Sequence, residues 1–238
     1  MKPYKVNEGI EIIDLTLYLK KHKTIIIGDL HIGMEEALNT KGVLIPRFQF
    51  KELLDRLDKI LKVAKPKKII LIGDVKHEFG VITETEWRNI VRLIDFLKEK
   101  AELQIIKGNH DAIVLPIAKK RGIPVSDHIV LGDFYLCHGH KLPTDKAFKE
   151  AKTVIMGHEH PAIGLQDGPR RETYKCFLVG KYKHKNLIVL PSLSTLSEGT
   201  DVTKEQFLSP LIKNIGDFKF YIVADKVYEF GKVKDVME

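Results

Sequence analysis

Seven side chains that could bind metal ions follow short apolar runs along this chain. They are Asp29, His31, Asp74, Asn109, His138, His158 and His160. Carboxylate, amide oxygen and imidazole groups without thiolate favour Mn²⁺, Fe²⁺ or Zn²⁺ over a soft metal. Seven ligands are too many for one tetrahedral ion, but they suffice for two ions bridged by a carboxylate. Such a pair of ions would keep open positions for water and a substrate.

The first half of the chain alternates apolar runs with amphipathic segments. Residues 24–28, 67–73 and 103–108 are short and apolar and end at a glycine, which predicts buried β-strands. Residues 47–64 and 83–100 carry apolar side chains at helical spacing, and the second of these begins with the capping-box-like sequence TETE. The order strand, helix, strand, helix, strand indicates an α/β fold.

The second half predicts strands joined mainly by hairpins. Residues 128–139 predict a hairpin that turns at Gly132-Asp133, and residues 153–157 predict a short buried strand. Residues 173–192 and 217–233 predict two more hairpins, the second turning near Ala224-Asp225. We therefore expect one α/β domain over residues 1–238, built of two packed mixed β-sheets flanked by helices.

The metal-binding side chains lie at the ends of five predicted strands. Functional residues gather at the carboxyl ends of strands in open α/β sheets, so the five ends are expected to converge. Asp29 and His31 are two residues apart, as are His158 and His160. Residues at this spacing point to the same side of an extended strand, so each pair is expected to reach a shared cavity.

These segments, taken in order, resemble a known family. The set GDxH, GD, GNHD, HGH and GHxH over residues 28–161 is similar to that of the calcineurin-like metallophosphoesterase superfamily. GDLHIG, GDVKHE and GHEHP resemble segments of the small archaeal phosphoesterases related to DNA-repair exonucleases. One such motif is weak evidence, whereas five in order, each after a predicted strand, are specific. The resemblance implies a four-layer αββα sandwich and two divalent ions, manganese first, with iron, zinc, nickel or magnesium as alternatives.

The resemblance also implies a role for each side chain. One ion would be held by Asp29, His31 and His160, the other by Asn109, His138 and His158, with Asp74 bridging them. A hydroxide shared by the ions would attack phosphorus in line, because the ions depress the pKa of the water. His110 would lie beside the leaving oxygen as proton donor or charge stabiliser, and Asp111 would orient or charge its imidazole.

Some positions depart from the family pattern or stay open. Many members carry an Asp three places after the bridging one, where this chain has His77, to which we assign no ligand role. His140 could support a metal ligand or be a hydrogen-bonded loop histidine. Residues 34–47, which end at Arg47, could form a wall of the cleft. The Ser/Thr-rich residues 191–210 could line it, although a plain connecting loop is the preferred interpretation.

Composition sets broader limits. The chain of 238 residues has a net charge of +7 and a pI near 9.2, which permits contact with polyanions without demonstrating it. No apolar run approaches the roughly 20 residues that span a bilayer, and the N-terminal segment lacks the features of a signal peptide. Cys137 and Cys176 are expected to be reduced thiols, and the protein is expected to be cytoplasmic. The oligomeric state stays open.

The predicted function is a di-metal phosphoesterase that acts on phosphodiesters, with nucleic acid as one substrate class. Repair exonucleases carry a capping domain, whereas the residues after GHEHP predict mainly strands of the second sheet. A nuclease of this kind is therefore expected to lack that apparatus or to obtain it from a partner. The alternatives are a phosphodiesterase for small molecules such as cyclic nucleotides, a phosphatase, a nucleic-acid-binding module without catalysis, and a non-catalytic metal-stabilised scaffold for partner binding.

Overall fold

Seven strands form the first β-sheet, and their order across the sheet is their order along the chain. The computed structural model describes residues 1–45, 48–78, 82–204 and 206–236, so Arg47 lies outside the described residues. The strands are β1 (Tyr4–Asn7), β2 (Ile10–Ile13), β3 (Thr16–Leu19), β4 (Thr24–Gly28), β5 (Lys68–Ile72), β6 (Glu102–Ile106) and β7 (Val125–Ser126). The three predicted strands are the parallel strands β4, β5 and β6, and an antiparallel meander, β1 to β3, extends the sheet beyond them.

Helices cover the outer face of this sheet. They are α1 (Met34–Thr40), α2 (Gln49–Ala64), α3 (Glu84–Lys100) and α4 (Val114–Lys120). The apolar stripe of α2 and α3 is buried against the sheet, as the helical spacing predicts. The predicted capping box is confirmed, because the Thr83 side chain accepts from the backbone amide of Glu86 while the Glu86 side chain accepts from that of Thr83.

The second sheet contains nine strands. They are β8 (His128–Leu131), β9 (Phe134–Cys137), β10 (Thr153–Met156), β11 (Pro161–Asp167), β12 (Arg170–Tyr182), β13 (Lys185–Val189), β14 (Thr200–Asp201), β15 (Lys219–Val223) and β16 (Val227–Lys232). The three predicted hairpins are confirmed as β8–β9, β12–β13 and β15–β16. Strand β11, which pairs with the first half of β12, was not predicted.

The two sheets pack face to face around an apolar layer that contains residues of both, among them Ile26 and Ile70 from the first and Ile155 and Phe177 from the second. This arrangement confirms the predicted α/β architecture. Among the described residues, the outer face of the second sheet is covered by the short helix α5 (Lys146–Glu150) and by the side chains of Val202, Leu211, Ile212 and Phe218. None of the described helices combines the length and apolar character that a bilayer crossing requires. Cys137 and Cys176 are both buried free thiols.

The directions of the strands determine at which edge of the two sheets the candidate site lies. Strands β4, β5 and β6 are parallel, and so are β9, β10 and β13 in the other sheet. Parallel strands end at the same edge of their sheet, so their carboxyl ends form two rows of loops. The motif residues belong to these loops, and the packing of the sheets brings the rows together.

Candidate metal centre

Two groups of potential metal ligands face each other where the two sheets meet. Asp29, His31 and His160 form the first group, and Asp74, His138 and His158 form the second. In each group, the ligand atoms of the three side chains lie within 4.8 Å of one another. Each group draws on both sheets, so neither could form from one sheet alone.

The first group contains a buried oxygen suited to a cation. Nε2 of His160 lies 3.0 Å from Nε2 of His31 and 3.4 Å from Oδ1 of Asp29. Asp29 is fully buried, and within the described part of the chain its Oδ1 has no hydrogen-bond partner. An anionic oxygen buried without a donor is destabilising unless a cation balances it, so this geometry fits a metal ion.

The second group is centred on His138, whose tautomer is fixed by its surroundings. Nδ1 of His138 lies 3.0 Å from the carbonyl oxygen of Ile72, which can only accept, so Nδ1 carries the proton. Nε2 faces Oδ1 of Asn109 at 2.9 Å, Nδ1 of His158 at 3.2 Å and Oδ2 of Asp74 at 3.3 Å. An orienting carbonyl behind a ligand imidazole is the usual arrangement at metal sites.

The separations of the donor atoms agree with a shared ion. Ligands about 2.1 Å from an ion are about 3.0 Å apart at right angles and about 3.4 Å apart at tetrahedral angles. The contacts of His160 and His138 run from 2.9 to 3.4 Å, in groups whose ligand atoms all lie within 4.8 Å of one another. The residues present therefore fit two divalent ions, and Asn109 would add an uncharged oxygen to the second group.

The backbone that carries these side chains is not extended. The expectation that residues two positions apart point to the same side of an extended strand is therefore wrong here. Asp29, His31, Asp74, His158 and His160 all have positive φ values, between 37° and 73°. They are five of the nine described non-glycine residues in this region of backbone space, which costs about 1–3 kcal/mol per residue. The pairs still meet at one site, and His158 and His160 lie in different groups, which is the division that the family resemblance implies. Strain of this kind concentrates at functional sites.

Glycines of the motifs leave room for the carboxylates. A Cβ atom on Gly108 would lie 2.2 Å from Oδ1 of Asp74, and one on Gly157 would lie 2.4 Å from Oδ2 of Asp29. These distances are too short for any side chain. The glycines of GNHD and GHEH are therefore required by the carboxylate on the neighbouring loop and not only by a turn.

The two carboxylates are ionised despite burial. Burial opposes the charge of Asp29, but nearby imidazoles, His160 first among them, hold its pKa below the usual range. Burial also opposes the charge of Asp74, and His138 outweighs it, so this pKa is lowered too. Two buried carboxylates that stay charged give the site the anionic character that divalent cations require.

The imidazoles differ in charge. Burial, reinforced by His160, lowers the pKa of His31 to about 3, and burial with His138 lowers the pKa of His158 to about 4. Burial disfavours the charged form of His138 as well, but Asp74 and Asp29 outweigh it and raise the pKa of His138 to about 9. The imidazolium of His138 thus balances the carboxylates in the metal-free protein, and an ion would replace its proton.

His110 lies beside Asp74, the carboxylate of the second group. Its Nε2 is 3.7 Å from Oδ2 of Asp74, and its backbone amide donates to Oδ1 of Asp74 at 3.1 Å. Its Nδ1 contacts the carbonyl oxygen of His77, which fixes the proton on Nδ1. The ring of His77 stacks on that of His110, with centroids 6.4 Å apart, and its Nδ1 lies 3.3 Å from Nδ1 of His31.

The carboxylate of Asp111 is directed at backbone amides. Its oxygens accept from Gly108 at 2.9 Å, Val75 at 2.9 Å and Lys76 at 3.3 Å. Burial raises the pKa of Asp111 to about 6, although these amides favour the anion. Asp111 therefore joins the loop that carries Asp74 to the loop that carries Asn109 and His110. These contacts are with backbone amides, whereas Asp111 was expected to orient or charge the imidazole of His110.

Both ends of the 191–210 segment contact metal-binding loops. The hydroxyl of Ser192, which is fully buried, donates to the carbonyl oxygen of Asp29 at 2.7 Å. Glu159, between the two histidines of GHEH, accepts from the backbone amides of Leu208 at 3.3 Å and Ser209. Ser192 and Ser209 thus lie against the loops that carry the candidate ligands, whereas a plain connecting loop was the preferred interpretation of residues 191–210. No local pattern marks these contacts, because their partners are far away in sequence.

The other open positions also lie near the site. Met34 and Glu35 of α1 line a pocket beside His31, which is where residues 34–47 were expected to form a wall. The ring of His140 lies 5.2 Å from that of His138, and its Nδ1 is buried without a hydrogen-bond partner among the described residues. Burial lowers the pKa of His140.

A buried ion pair supports the loop that carries Asp74 and His77. Lys76 is fully buried, and its Nζ lies 3.5 Å from Oε1 of Glu86, which is 2% exposed. The same ammonium donates to the carbonyl oxygen of Glu78. A Cβ on Gly33 would lie 2.0 Å from Oε1 of Glu86, so only glycine leaves room for this carboxylate. The sequence analysis recognised Glu86 only as part of the helix cap.

Metal binding should stabilise the fold. Adding Mn²⁺ to chelator-treated protein is expected to raise the thermal unfolding midpoint, because the ions bind the converged ligands and not the unfolded chain. The gain is about 2.7 kcal/mol at one hundred times the dissociation constant. Circular dichroism at 222 nm would measure it. Asp74→Asn is the matched control and should respond much less. A midpoint of the wild type that Mn²⁺ leaves unchanged would contradict the assigned site.

Comparisons with known proteins agree with this geometry. A family model described as calcineurin-like phosphoesterase matches residues 22–189, more than half of the chain. The solved nuclease MPE of Pseudomonas putida superposes with a TM-score of 0.69 at 20% identity, over 96% of this chain and 99% of that one. Yfce, a phosphoesterase from E. coli, gives 0.42 and 13%, over 85% of this chain and 88% of its own. A comparison with curated proteins gives no match.

Proposed function

Because the chain belongs to the calcineurin-like phosphoesterase family, we propose that it hydrolyses phosphodiesters with two divalent metal ions, manganese first among them. The observation that carries the proposal is the pair of ligand groups at one sheet edge, with His110 beside Asp74 of the second group. Asp29, His31 and His160 would hold one ion, and Asn109, His138 and His158 the other. Asp74 would bridge them.

The ions, when bound, would supply a nucleophilic water at neutral pH and neutralise charge on the phosphoryl group. The side chains of the protein would donate the proton and hold the reacting groups in position. His110 would donate a proton to the leaving oxygen or stabilise its charge, since the carbonyl of His77 fixes one nitrogen and leaves the other facing Asp74. Asp111 would hold the loops that carry these groups at a constant separation.

A phosphodiester in a nucleic acid is the proposed substrate class. Three observations support it: the net charge of +7, the motif resemblance to phosphoesterases related to repair exonucleases, and the fold shared with a nuclease along nearly the whole of both chains. The charge favours a polyanion over a small neutral ester. The alternative functions within the same enzyme class are those of a cyclic-nucleotide phosphodiesterase and of a phosphatase.

The first experiment compares two small substrates under controlled metal content. Purified protein is assayed on bis-p-nitrophenyl phosphate and on p-nitrophenyl phosphate, after chelation and after addition of Mn²⁺, Fe²⁺, Zn²⁺, Ni²⁺ or Mg²⁺. We expect cleavage of the diester only with added metal, and at a higher kcat/KM than that of the monoester. Inactivity of Asp74→Asn under the best condition is the control for a contaminating enzyme.

Other outcomes would redirect the proposal. A preference for the monoester would indicate a phosphatase. Two bound ions per chain with no turnover of any ester would support the scaffold interpretation instead. Binding of oligonucleotides with a steep salt dependence and no product would favour a nucleic-acid-binding module.

A further inference from the structure

A second cleft, lined mainly by cations, lies between helix α2 and the β15–β16 turn. Its volume is about 510 Å³, and the cations that line it are Lys2, Arg56, Lys59, Lys62 and Lys226. We refer to it as the cationic cleft. Its two acidic residues are already engaged, since Asp14 accepts from Nε of Arg56 at 2.9 Å and Asp225 accepts from the hydroxyl of Tyr228 at 2.8 Å.

The lysines of the cleft, unlike Arg56, which pairs with Asp14, are accessible to a ligand. Lys2, Lys59, Lys62 and Lys226 are exposed. Across the described stretches of the chain, no carboxylate pairs with Lys2 or Lys59, whereas Lys62 bonds to Asp58 at 2.6 Å. Val63, Val223 and Val227 add apolar surface beside the charges. A concave surface with several free ammonium groups and an apolar floor is suited to an anionic ligand that also has flat apolar parts.

The cationic cleft opens at the same edge of the molecule as the metal centre. Asp14 lies in the turn between β2 and β3, where Ile13 pairs with Thr16 and Thr16 pairs with Ile27. Ile27 is two residues before Asp29. Neighbouring strands are about 4.8 Å apart, so a displacement of two strands places the Asp14 turn about 10 Å from the metal-binding loop.

Side-chain contacts lead from the loop of Asp29 toward the cationic cleft. Nζ of Lys175 donates to the carbonyl oxygen of Ser192 at 2.9 Å and to that of Ser194, and Ser192 in turn bonds to the Asp29 carbonyl. Burial and then the positive charge of Arg56, a residue of the cleft, lower the pKa of Lys175 to about 8, because Arg56 is near enough to repel its ammonium.

The axis of helix α2 also leads from the metal centre to the cationic cleft. Gln49 at its first turn lines the pocket beside His31, and Arg56 and Val63 lie farther along it. At 1.5 Å per residue, Arg56 is about 10 Å and Val63 about 21 Å from Gln49 along the axis. A polymer bound at the metal centre would therefore reach the cleft within a few monomers.

We propose that the cationic cleft binds the phosphate backbone of a single-stranded nucleic acid whose scissile phosphate lies at the metal centre. The inference rests on the proposed function and names its substrate more closely. A positively charged groove that tracks the backbone is one of the features by which proteins bind single strands without sequence preference.

The test uses charge reversal at exposed positions of the full chain. Lys59→Glu with Lys226→Glu changes the cleft. Lys21→Glu with Lys67→Glu is the matched control, because both lysines are exposed at the opposite edge of the first sheet and the change in net charge is the same. Anisotropy of a labelled single-stranded oligonucleotide gives Kd at several salt concentrations, in chelator to prevent cleavage. Thermal midpoints establish that both variants fold.

We expect the cleft variant to raise Kd at least about tenfold and to reduce the salt slope by about 1.4, as for two lost phosphate contacts on a single strand. The control variant should change both quantities far less. Hydrolysis of bis-p-nitrophenyl phosphate with metal should be unchanged in both, since a small diester does not extend to the cleft.

Three results would overturn the cleft assignment. In the first, the cleft and control variants lose oligonucleotide affinity equally, and in the second the cleft substitutions leave that affinity unchanged. In the third, the cleft variant loses binding only to vesicles that contain phosphatidylserine. Failure of the proposed function looks different, because the wild type would then bind the oligonucleotide through the cleft and hydrolyse no ester with any metal.

Discussion

His110→Ala is expected to lower kcat/KM by about 10²–10⁴-fold for a phosphodiester whose leaving group is an alkoxide. An alkoxide is a strong base and leaves only with a proton or with its charge stabilised. His110 is placed for that task, with Nε2 3.7 Å from Asp74. Steady-state kinetics on a dinucleotide or a short oligonucleotide would measure the loss, with metal content determined on the same samples.

The leaving group supplies an internal control for this prediction. p-Nitrophenolate is stable without a proton, so His110→Ala should cost much less on bis-p-nitrophenyl phosphate than on the alkyl diester. His184→Ala removes an exposed histidine outside the site and should leave both substrates unaffected. Equal losses on the two substrates, or loss of bound metal, would show that His110 supports the metal centre and not the leaving group.

Lys76→Met is expected to destabilise the fold by about 3–5 kcal/mol. The substitution leaves the carboxylate of Glu86, which is 2% exposed, buried without the cation 3.5 Å away. Glu86→Gln should also destabilise the fold, because it leaves the ammonium of Lys76 uncompensated. Urea unfolding monitored by circular dichroism would give the free energies.

A double-mutant cycle separates the ion pair from packing. Lys76→Met with Glu86→Met removes both charges, so its cost should be clearly smaller than the sum of the single losses. Lys62→Met breaks an exposed pair with Asp58 and should change stability by at most about 1 kcal/mol. Strict additivity of the Lys76 and Glu86 variants would contradict a coupled buried pair.

The loop around Lys76 connects stability to the site. Its ammonium holds the Glu78 carbonyl, and the carbonyl of His77 holds the imidazole of His110. A folded Lys76 variant should therefore resemble His110→Ala in losing more activity on the alkoxide substrate than on the p-nitrophenyl one. That comparison distinguishes a positioned imidazole from a general loss of folded protein.

Local patterns in the sequence determined much of this protein. Buried strands, two amphipathic helices, the Thr83–Glu86 cap and three hairpins were predictable, because periodicity, capping and turn geometry act within a few residues. The family followed from five short motifs in order. The ligand types also limited the metals, since donor chemistry belongs to the side chain and not to the fold. The meander β1 to β3 and strand β11 escaped prediction, because the pairing partners of a strand come from elsewhere in the chain.

Only the tertiary structure decided how these parts act together. The assumption of extended backbone at the paired residues was wrong, because Asp29, His31, His158 and His160 adopt left-handed conformations that the surrounding packing holds in place. The contacts Lys76–Glu86 and Ser192–Asp29 join residues 10 and 163 positions apart, and the cationic cleft joins residues near both ends of the sequence. No local pattern encodes such contacts, because they depend on how two sheets and their helices pack, and that packing is a property of the whole chain.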